Sequence, residues 1–217
     1  MHTADAEHDL TFSRDYRALD VIRKIQDLAK VEQMFEEKVE AQKIVVEINA
    51  HAKKFISHPT IEKFMKSFDP SEMGRRGRWQ PLAFVGSTDS GKTWKAMSLF
   101  PNKTLKVSCQ GLPNGILPSL KEMDRNIHKA ICFDEIRADQ ILGNRELFQS
   151  GPFPTKLAQS ACGQHEYSVW LYGIAMLICT NSLEVNEKSL TYEADEEWLK
   201  HNVLQVMLQK DKKWYLI

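Results

Sequence analysis

The chain has few cysteines, no excess of charge of either sign and no long apolar run. Its four cysteines are widely spaced, which argues against a disulfide framework and favours buried thiols in a reducing compartment. The 29 basic and 29 acidic residues give a formal net charge of +0, so any contact with nucleic acid must come from a local patch. No apolar stretch reaches the roughly 20 residues that a membrane-spanning helix needs, so no membrane partner is expected.

The first residues also lack the basic and apolar run of a targeting signal, which favours the cytoplasm or nucleus. Glycine and proline are absent before Pro59, and apolar residues such as Val21, Ile25 and Leu28 recur near helical spacing. This pattern predicts a helix or helical hairpin. We therefore expect a helical segment at residues 1–78 and a second domain at residues 79–217.

The strongest signal that is present is a glycine-rich loop. Residues 86–93 read GSTDSGKT, which fits the phosphate-loop pattern G-x-x-x-x-G-K-[ST], and they follow an apolar run at residues 82–85. A strand that ends in such a turn before a helix directs several backbone N–H groups at one point, where the helix dipole also favours an anion. The loop therefore predicts a site for a nucleoside triphosphate, and the alternative is a turn without a ligand.

Each residue type in the loop suggests a role. The Lys92 ammonium would reach the β- and γ-phosphates, and the Thr93 hydroxyl would help to coordinate Mg²⁺. ATP and Mg²⁺ are the expected cofactors. The predicted nucleotide-binding residues are Gly86, Ser87, Thr88, Asp89, Ser90, Gly91, Lys92 and Thr93.

A second motif, AICFDEI at residues 130–136, is an apolar strand that ends in two carboxylates. The carboxyl ends of parallel strands lie at one edge of a sheet, so Asp134 and Glu135 are expected near the phosphate loop. Asp134 would hold Mg²⁺ and Glu135 would polarise the attacking water. An acidic turn without this role is the alternative.

A third motif, GIAMLICTN at residues 173–181, is typical of a strand that is buried on both faces and ends in a polar tip. The Asn181 amide would contact the γ-phosphate or its attacking water, unless it only caps a turn. Lys92, Glu135 and Asn181 are thus the predicted catalytic residues.

The remaining segments predict alternating strands and helices, which is typical of α/β proteins with a parallel sheet. We expect helices at residues 94–100, 117–128 and 195–201, a strand at 103–108, a turn at 111–115, and a strand pair at 203–208 and 213–217.

Taken in order and spacing, GSTDSGKT, CFDEI and ICTN resemble the superfamily-three helicase ATPase of replication initiators. The likeness is to the Rep proteins of circular single-stranded DNA viruses and their plasmid or endogenised relatives, over residues 79–182. The resemblance implies an α/β fold, a P-loop NTPase with an AAA+-like parallel sheet preceded by an N-terminal helical segment. It also implies a homo-oligomeric ring in which ATP hydrolysis drives movement along single-stranded DNA. The helical segment would then mediate ring formation or only cap the monomer.

Parts of the family pattern are absent. No His-x-His pair occurs, so a nicking endonuclease is not predicted, and a separate nuclease chain is a candidate partner. The family places an arginine finger after the Asn-ended strand, whereas the last arginine here is Arg145. Arg137 is the nearest substitute, although a surface salt bridge is the more ordinary interpretation.

Two stretches are candidates for DNA contact. Residues 151–166, where the family has a DNA-gripping loop, offer only Lys156 and His165, a thin grip on phosphates. Arg75, Arg76 and Arg78 beside Trp79 would neutralise phosphates and stack a base, or would form a solvated linker.

The leading hypothesis is a Mg²⁺-dependent ATPase that couples hydrolysis to movement along single-stranded DNA. The alternative is a nucleotide-binding oligomerisation module from a mobile element with little or no helicase activity. A small-molecule kinase is less favoured, because the Asp-Glu and Asn-ended strands suit hydrolysis and no arginine-rich lid follows.

Overall fold

The computed structural model describes residues 23, 24, 26, 33, 55–73, 77–113, 115–158, 166–187, 189–207, 213 and 214. The chain divides into two compact units, Met1–Val46 and Glu47–Ile217. In the first unit, the described residues Arg23, Lys24, Gln26 and Gln33 are helical and exposed. The predicted domain boundary after residue 78 stays a prediction.

The second unit is a mixture of helices and strands. Its helices are α1 (Pro59–Lys66), α2 (Pro70–Met73), α3 (Lys92–Met97), α4 (Ala138–Leu142), α5 (Arg145–Phe148) and α6 (Tyr192–Asn202). Its strands are β1 (Leu82–Val85), β2 (Thr104–Ser108), β3 (Ala130–Asp134), β4 (Thr155–Ala158), β5 (Glu166–Val169), β6 (Ala175–Thr180) and β7 (Leu204–Met207).

Five strands form a sheet in the order β2-β3-β6-β1-β7, and each neighbouring pair is parallel. Strands β4 and β5 form a separate antiparallel pair. The expectation of an α/β fold with a mostly parallel sheet is therefore confirmed. This architecture is compatible with a Rossmann-like or P-loop-like α/β fold.

The central strands β1, β6 and β3 carry apolar runs because both faces of the sheet are covered. Along β1, Ala83 and Val85 join the apolar core on one face, whereas Leu82 and Phe84 join the core on the other. Parallel sheets are normally covered on both faces in this way. Helix α3 packs against β6, β3 and β1, and helix α1 packs against β7.

The predicted helix at residues 117–128 is wrong, since this segment consists of irregular backbone and short turns. Pro118 disfavours helical backbone at the residue before it. The Leu120 N–H donates to the Tyr167 hydroxyl at 2.7 Å instead of to a helix carbonyl. Asp124 accepts from the Asn126 N–H at 2.8 Å, while its own N–H donates to His128 Nδ1 at 3.1 Å. Such side-chain bonds compete with the helix for the backbone.

The other predicted elements are found with small shifts. The strand near residues 103–108 is β2, the helix near 195–201 is α6, and the helix after the loop is α3, which begins at Lys92. The strand near 203–208 is β7, but its partner is β1, to which it is parallel. Of its predicted partner at 213–217, only Lys213 and Trp214 are described, and neither lies in a strand. Among the described residues, no helix is long and apolar enough to cross a membrane.

Candidate functional site

The three sequence motifs meet at one edge of the sheet. The Gly86 N–H, just past β1, donates to the Thr180 carbonyl of β6 at 3.2 Å. The Glu135 N–H, just past β3, donates to the Cys179 carbonyl of the same strand at 2.9 Å. Strand β6 therefore holds the phosphate loop on one side and the acidic pair on the other.

Three hydrogen bonds hold the Lys92 side chain at this edge. Its Nζ donates to the carbonyls of Gly86 and Ser87 at 2.9 and 2.7 Å, and to Asn181 Oδ1 at 3.1 Å. Only 9% of the residue is exposed, and this burial lowers its pKa, against the opposing effect of nearby acidic groups such as Asp134. A buried ammonium with three oxygen partners has the charge and the donors that charge-assisted hydrogen bonds to an anion require.

Thr93 and Asp134 bring two hard oxygen donors together. Thr93 Oγ1 donates to Asp134 Oδ1 at 2.7 Å, and Lys106 Nζ lies 3.0 Å from Asp134 Oδ2. Magnesium in nucleotide sites is commonly held by one or two carboxylates together with phosphates and waters. Within the described parts of the chain, no cluster of three or more His, Cys, Asp or Glu residues forms a dedicated metal cage. The pair thus fits a Mg²⁺ that arrives with a phosphate ligand.

The phosphate loop is braced by a distant segment that sequence reasoning did not anticipate. The Trp214 N–H donates to the Ser90 carbonyl at 2.9 Å, and the Trp214 carbonyl accepts from the Ile56 N–H at 2.8 Å. The buried indole meets the Phe84 ring edge-on, with centroids 5.3 Å apart. Gly91 follows with a φ of 83°, which glycine adopts without steric cost. The loop therefore rests on a buried aromatic anchor.

Glu135 adopts a backbone conformation that is unusual for its residue type. Its φ is 58°, in the left-handed region, and its side chain is exposed at the rim of the site. Residues other than glycine rarely occupy this region, and those that do often lie at functional sites. The turn directs the chain away from β3 immediately after the second carboxylate.

This strain leads to a stability prediction. Glu135→Gly should raise the free energy of unfolding by about 1 kcal/mol, because glycine relieves the steric cost of left-handed backbone. Chemical denaturation of the purified protein measures the change. Glu193→Gly, at an exposed position in the first turn of α6, is the matched control and should lower stability by a similar amount. A loss of stability in both variants would contradict the strain at Glu135.

Of the predicted nucleotide, metal and catalytic residues, all but Gly86 and Ser87 line a cavity of about 660 Å³, within the range of small-ligand sites. The lining residues are Phe55, Thr88, Asp89, Ser90, Gly91, Lys92, Thr93, Trp94, Lys106, Asp134, Glu135, Cys179, Thr180, Asn181 and Lys213. Gly86 and Ser87 contribute through their carbonyls to Lys92. Sequence reasoning missed six lining residues: Phe55, Trp94, Lys106, Cys179, Thr180 and Lys213. Trp94 follows Thr93, and Cys179 and Thr180 precede Asn181, so these three have a local signal that could have indicated them.

Two of the five predicted DNA contacts, Arg78 and Lys156, lie among the described residues. Arg78 is exposed, and Lys156 is exposed in β4 opposite Ser168, whereas Arg75, Arg76 and His165 lie outside the described residues. The interpretation of Trp79 as a base-stacking surface is wrong. Its indole is 2% exposed, donates to the Ser67 carbonyl at 3.2 Å and packs on the Phe68 and Tyr172 rings.

Arg137, the substitute considered for an arginine finger, precedes α4. Its guanidinium donates to Asp139 and to the Leu112 carbonyl, as an ordinary surface ion pair would.

No protein-family model matches the chain, and no curated protein matches it either.

Proposed function

We propose that the chain is a Mg²⁺-dependent nucleoside triphosphatase of the phosphate-loop class, with ATP as its substrate. The observation that carries the proposal is the network that joins all three motifs. Lys92 of the loop contacts Asn181 at the tip of β6, and Thr93 of the loop contacts Asp134 at the tip of β3. The loop sequence alone supports binding, whereas the acidic and amide groups beside it support hydrolysis.

The residues divide the reaction between them. Lys92 neutralises charge on the β- and γ-phosphates, and Asn181 orients either the lysine or the terminal phosphate. Glu135 is exposed at the rim of the site, and the salt bridges among the described residues do not include it. Its carboxylate accepts a hydrogen bond from the attacking water. When bound, Mg²⁺ on Thr93 and Asp134 would supply further neutralisation of the phosphates.

Movement along single-stranded DNA in a homo-oligomeric ring is the narrower form of the proposal. The order of the motifs and their resemblance to Rep-type initiators support it. The candidate DNA-contacting element is the antiparallel pair β4 and β5, which exposes Lys156 and comes in sequence between the acidic strand and the Asn-ended strand. A nuclease on another chain would complete an initiator.

Steady-state phosphate release from ATP, with and without Mg²⁺, tests the proposal. We expect turnover that requires the metal and stops when it is chelated. Phosphate release that is indistinguishable from a buffer blank would remove the hydrolase function.

The alternative is an oligomerisation module that binds ATP but hardly hydrolyses it. It is favoured by the absence of an arginine among the described residues that line the cavity. Size-exclusion light scattering with and without ATP, beside a DNA-unwinding assay, separates the two functions. Nucleotide-dependent oligomers that do not unwind DNA would support the module, and unwinding would exclude it.

The metal site has its own prediction. Asp134→Asn should raise the Mg²⁺ concentration for half-maximal turnover by about tenfold or more, since an amide is a weaker ligand for a hard cation than a carboxylate. Titration of phosphate release with Mg²⁺ measures the shift. Asp139→Asn, which lies outside the cavity, is the control and should leave the curve in place. Coincident curves for the two variants would argue against Asp134 as a ligand.

A further inference from the structure

Lys106 lies beside the acidic pair, on a strand to which no motif drew attention. It occupies the middle of the edge strand β2, in register with Cys132 of β3. Residues in register on neighbouring strands share a face of the sheet, as do residues two apart on one strand. Lys106 therefore points to the same face as Asp134, and its Nζ lies 3.0 Å from Asp134 Oδ2.

The strand order sets Lys106 opposite Lys92. Lys106 approaches the cavity from β2, at the edge of the sheet beyond β3. Lys92 is held by the loop after β1 and by Asn181 after β6. Since the tip of β3 lies between these positions, Asp134 has one ammonium on its β2 side and another on its β6 side.

The charged residues of the cavity suggest a role for the Lys106 ammonium. The acidic residues that line it are Asp89, Asp134 and Glu135, and the basic ones are Lys92, Lys106 and Lys213. Among the lining residues that the structure describes, these charges balance in the free protein. A triphosphate with its Mg²⁺ adds about two negative charges, and more charge spreads over the terminal phosphoryl group in the transition state. Every lysine of the lining then contributes to neutralisation.

The described arginines that make side-chain contacts are engaged elsewhere. Arg125 donates to the carbonyls of Trp170 and Tyr172, and Arg137 is bound to Asp139. Arg145 is bound to Asp195. Within the described chain, the cations that line the cavity are therefore lysines.

We infer that Lys106 is a further catalytic residue, whose ammonium leaves Asp134 to contact the terminal phosphate and stabilises its transition state. This role rests on the proposed triphosphatase activity. In the step, the water oxygen forms a bond to the γ-phosphorus while the bond from that phosphorus to the bridging oxygen breaks. The electron pair passes to the β-phosphate, and Glu135 takes up the proton of the water. Lys106 keeps its proton and donates a hydrogen bond.

The test is Lys106→Met, which keeps the aliphatic stem and removes the charge. We expect kcat to fall about ten- to a hundredfold, as when one donor to a transition state is lost. The affinity for ADP, measured by calorimetric titration, should change less than about threefold, because the β-phosphate is held by the loop. Lys106→Arg should restore part of kcat. Lys103→Met, an exposed lysine outside the cavity, is the matched control and should behave as wild type.

Two results would overturn the role of Lys106 while the triphosphatase survives. One is a kcat for Lys106→Met equal to that of Lys103→Met, and the other is an ADP affinity that falls as much as kcat does. An increase in kcat would likewise overturn it, because it would mean that the ion pair only restrains Asp134. If wild-type protein bound no nucleotide and released no phosphate, the proposed function and this inference would fail together. Thermal unfolding of each variant guards against misfolding.

Discussion

Turnover should fall about a hundredfold or more in Glu135→Gln, while ATP still binds with nearly wild-type affinity. Glutamine preserves the size of the side chain but is too weak a base to accept a proton from water, and general bases contribute about a hundredfold or more. The left-handed backbone at Glu135 should be equally accessible to glutamine, which has the same branching at Cβ as glutamate. Phosphate release measures the first effect, and displacement of a fluorescent nucleotide measures the second.

The result for Glu135→Gln also shows which of the two carboxylates, Asp134 or Glu135, holds the metal. Loss of nucleotide binding in Glu135→Gln would mean that Glu135, and not Asp134 alone, holds the metal. Glu184→Gln is the matched control, because Glu184 is exposed three residues beyond Asn181 but does not line the cavity. Turnover and ATP affinity should both be those of the wild type in Glu184→Gln.

The second large effect is expected at Lys92. Lys92→Met should weaken ATP binding about a hundredfold, because it removes a charge-assisted hydrogen bond to the phosphates from a partly dry site. Methionine retains the length of the buried stem, so packing changes little. Polarisation of a fluorescent ATP analogue gives the dissociation constant directly.

Helix α3 offers a close control in Lys95, one turn beyond Lys92. Both lysines are buried, and burial lowers the pKa of each, but Lys95 lies over the Phe55 ring and does not line the cavity. Lys95→Met should therefore bind ATP almost as wild type does. Equal losses in the two variants would point to damage of the helix and not to a lost phosphate contact.

The chemical groups of the site were predictable because their signals are local. The loop, the acidic pair and Asn181 each follow an apolar run, and such runs predict buried parallel strands. Once the strands are parallel, their carboxyl ends must share an edge. The contacts of Lys92 with Asn181 and of Thr93 with Asp134 follow from that rule.

The contacts that could not be predicted from the sequence join segments that lie far apart along the chain. Lys106 reaches Asp134 only because β2 is the neighbour of β3 in a particular register, which the residues of β2 do not specify. Trp214 braces the loop through a backbone bond to Ser90, more than a hundred residues earlier. An apolar residue near the end of a chain predicts burial, but it does not indicate where.

The error at residues 117–128 has a different origin. Leu117, Leu120 and Met123 have the spacing of one helix face, and that spacing predicts a helix. The helix is lost to bonds made by Tyr167 and His128 with the backbone. Tyr167 comes from β5, so only the folded chain reveals that competition.

The most direct test of the central claim is a calorimetric titration of the wild-type protein with a non-hydrolysable ATP analogue in the presence of Mg²⁺. If the loop, the acidic pair and Asn181 form one triphosphate site, the titration should give one molecule bound per chain, weakened by chelation of the metal and displaced by ADP. A protein that takes up no analogue, or binds it equally well after Lys92→Met, would contradict the claim.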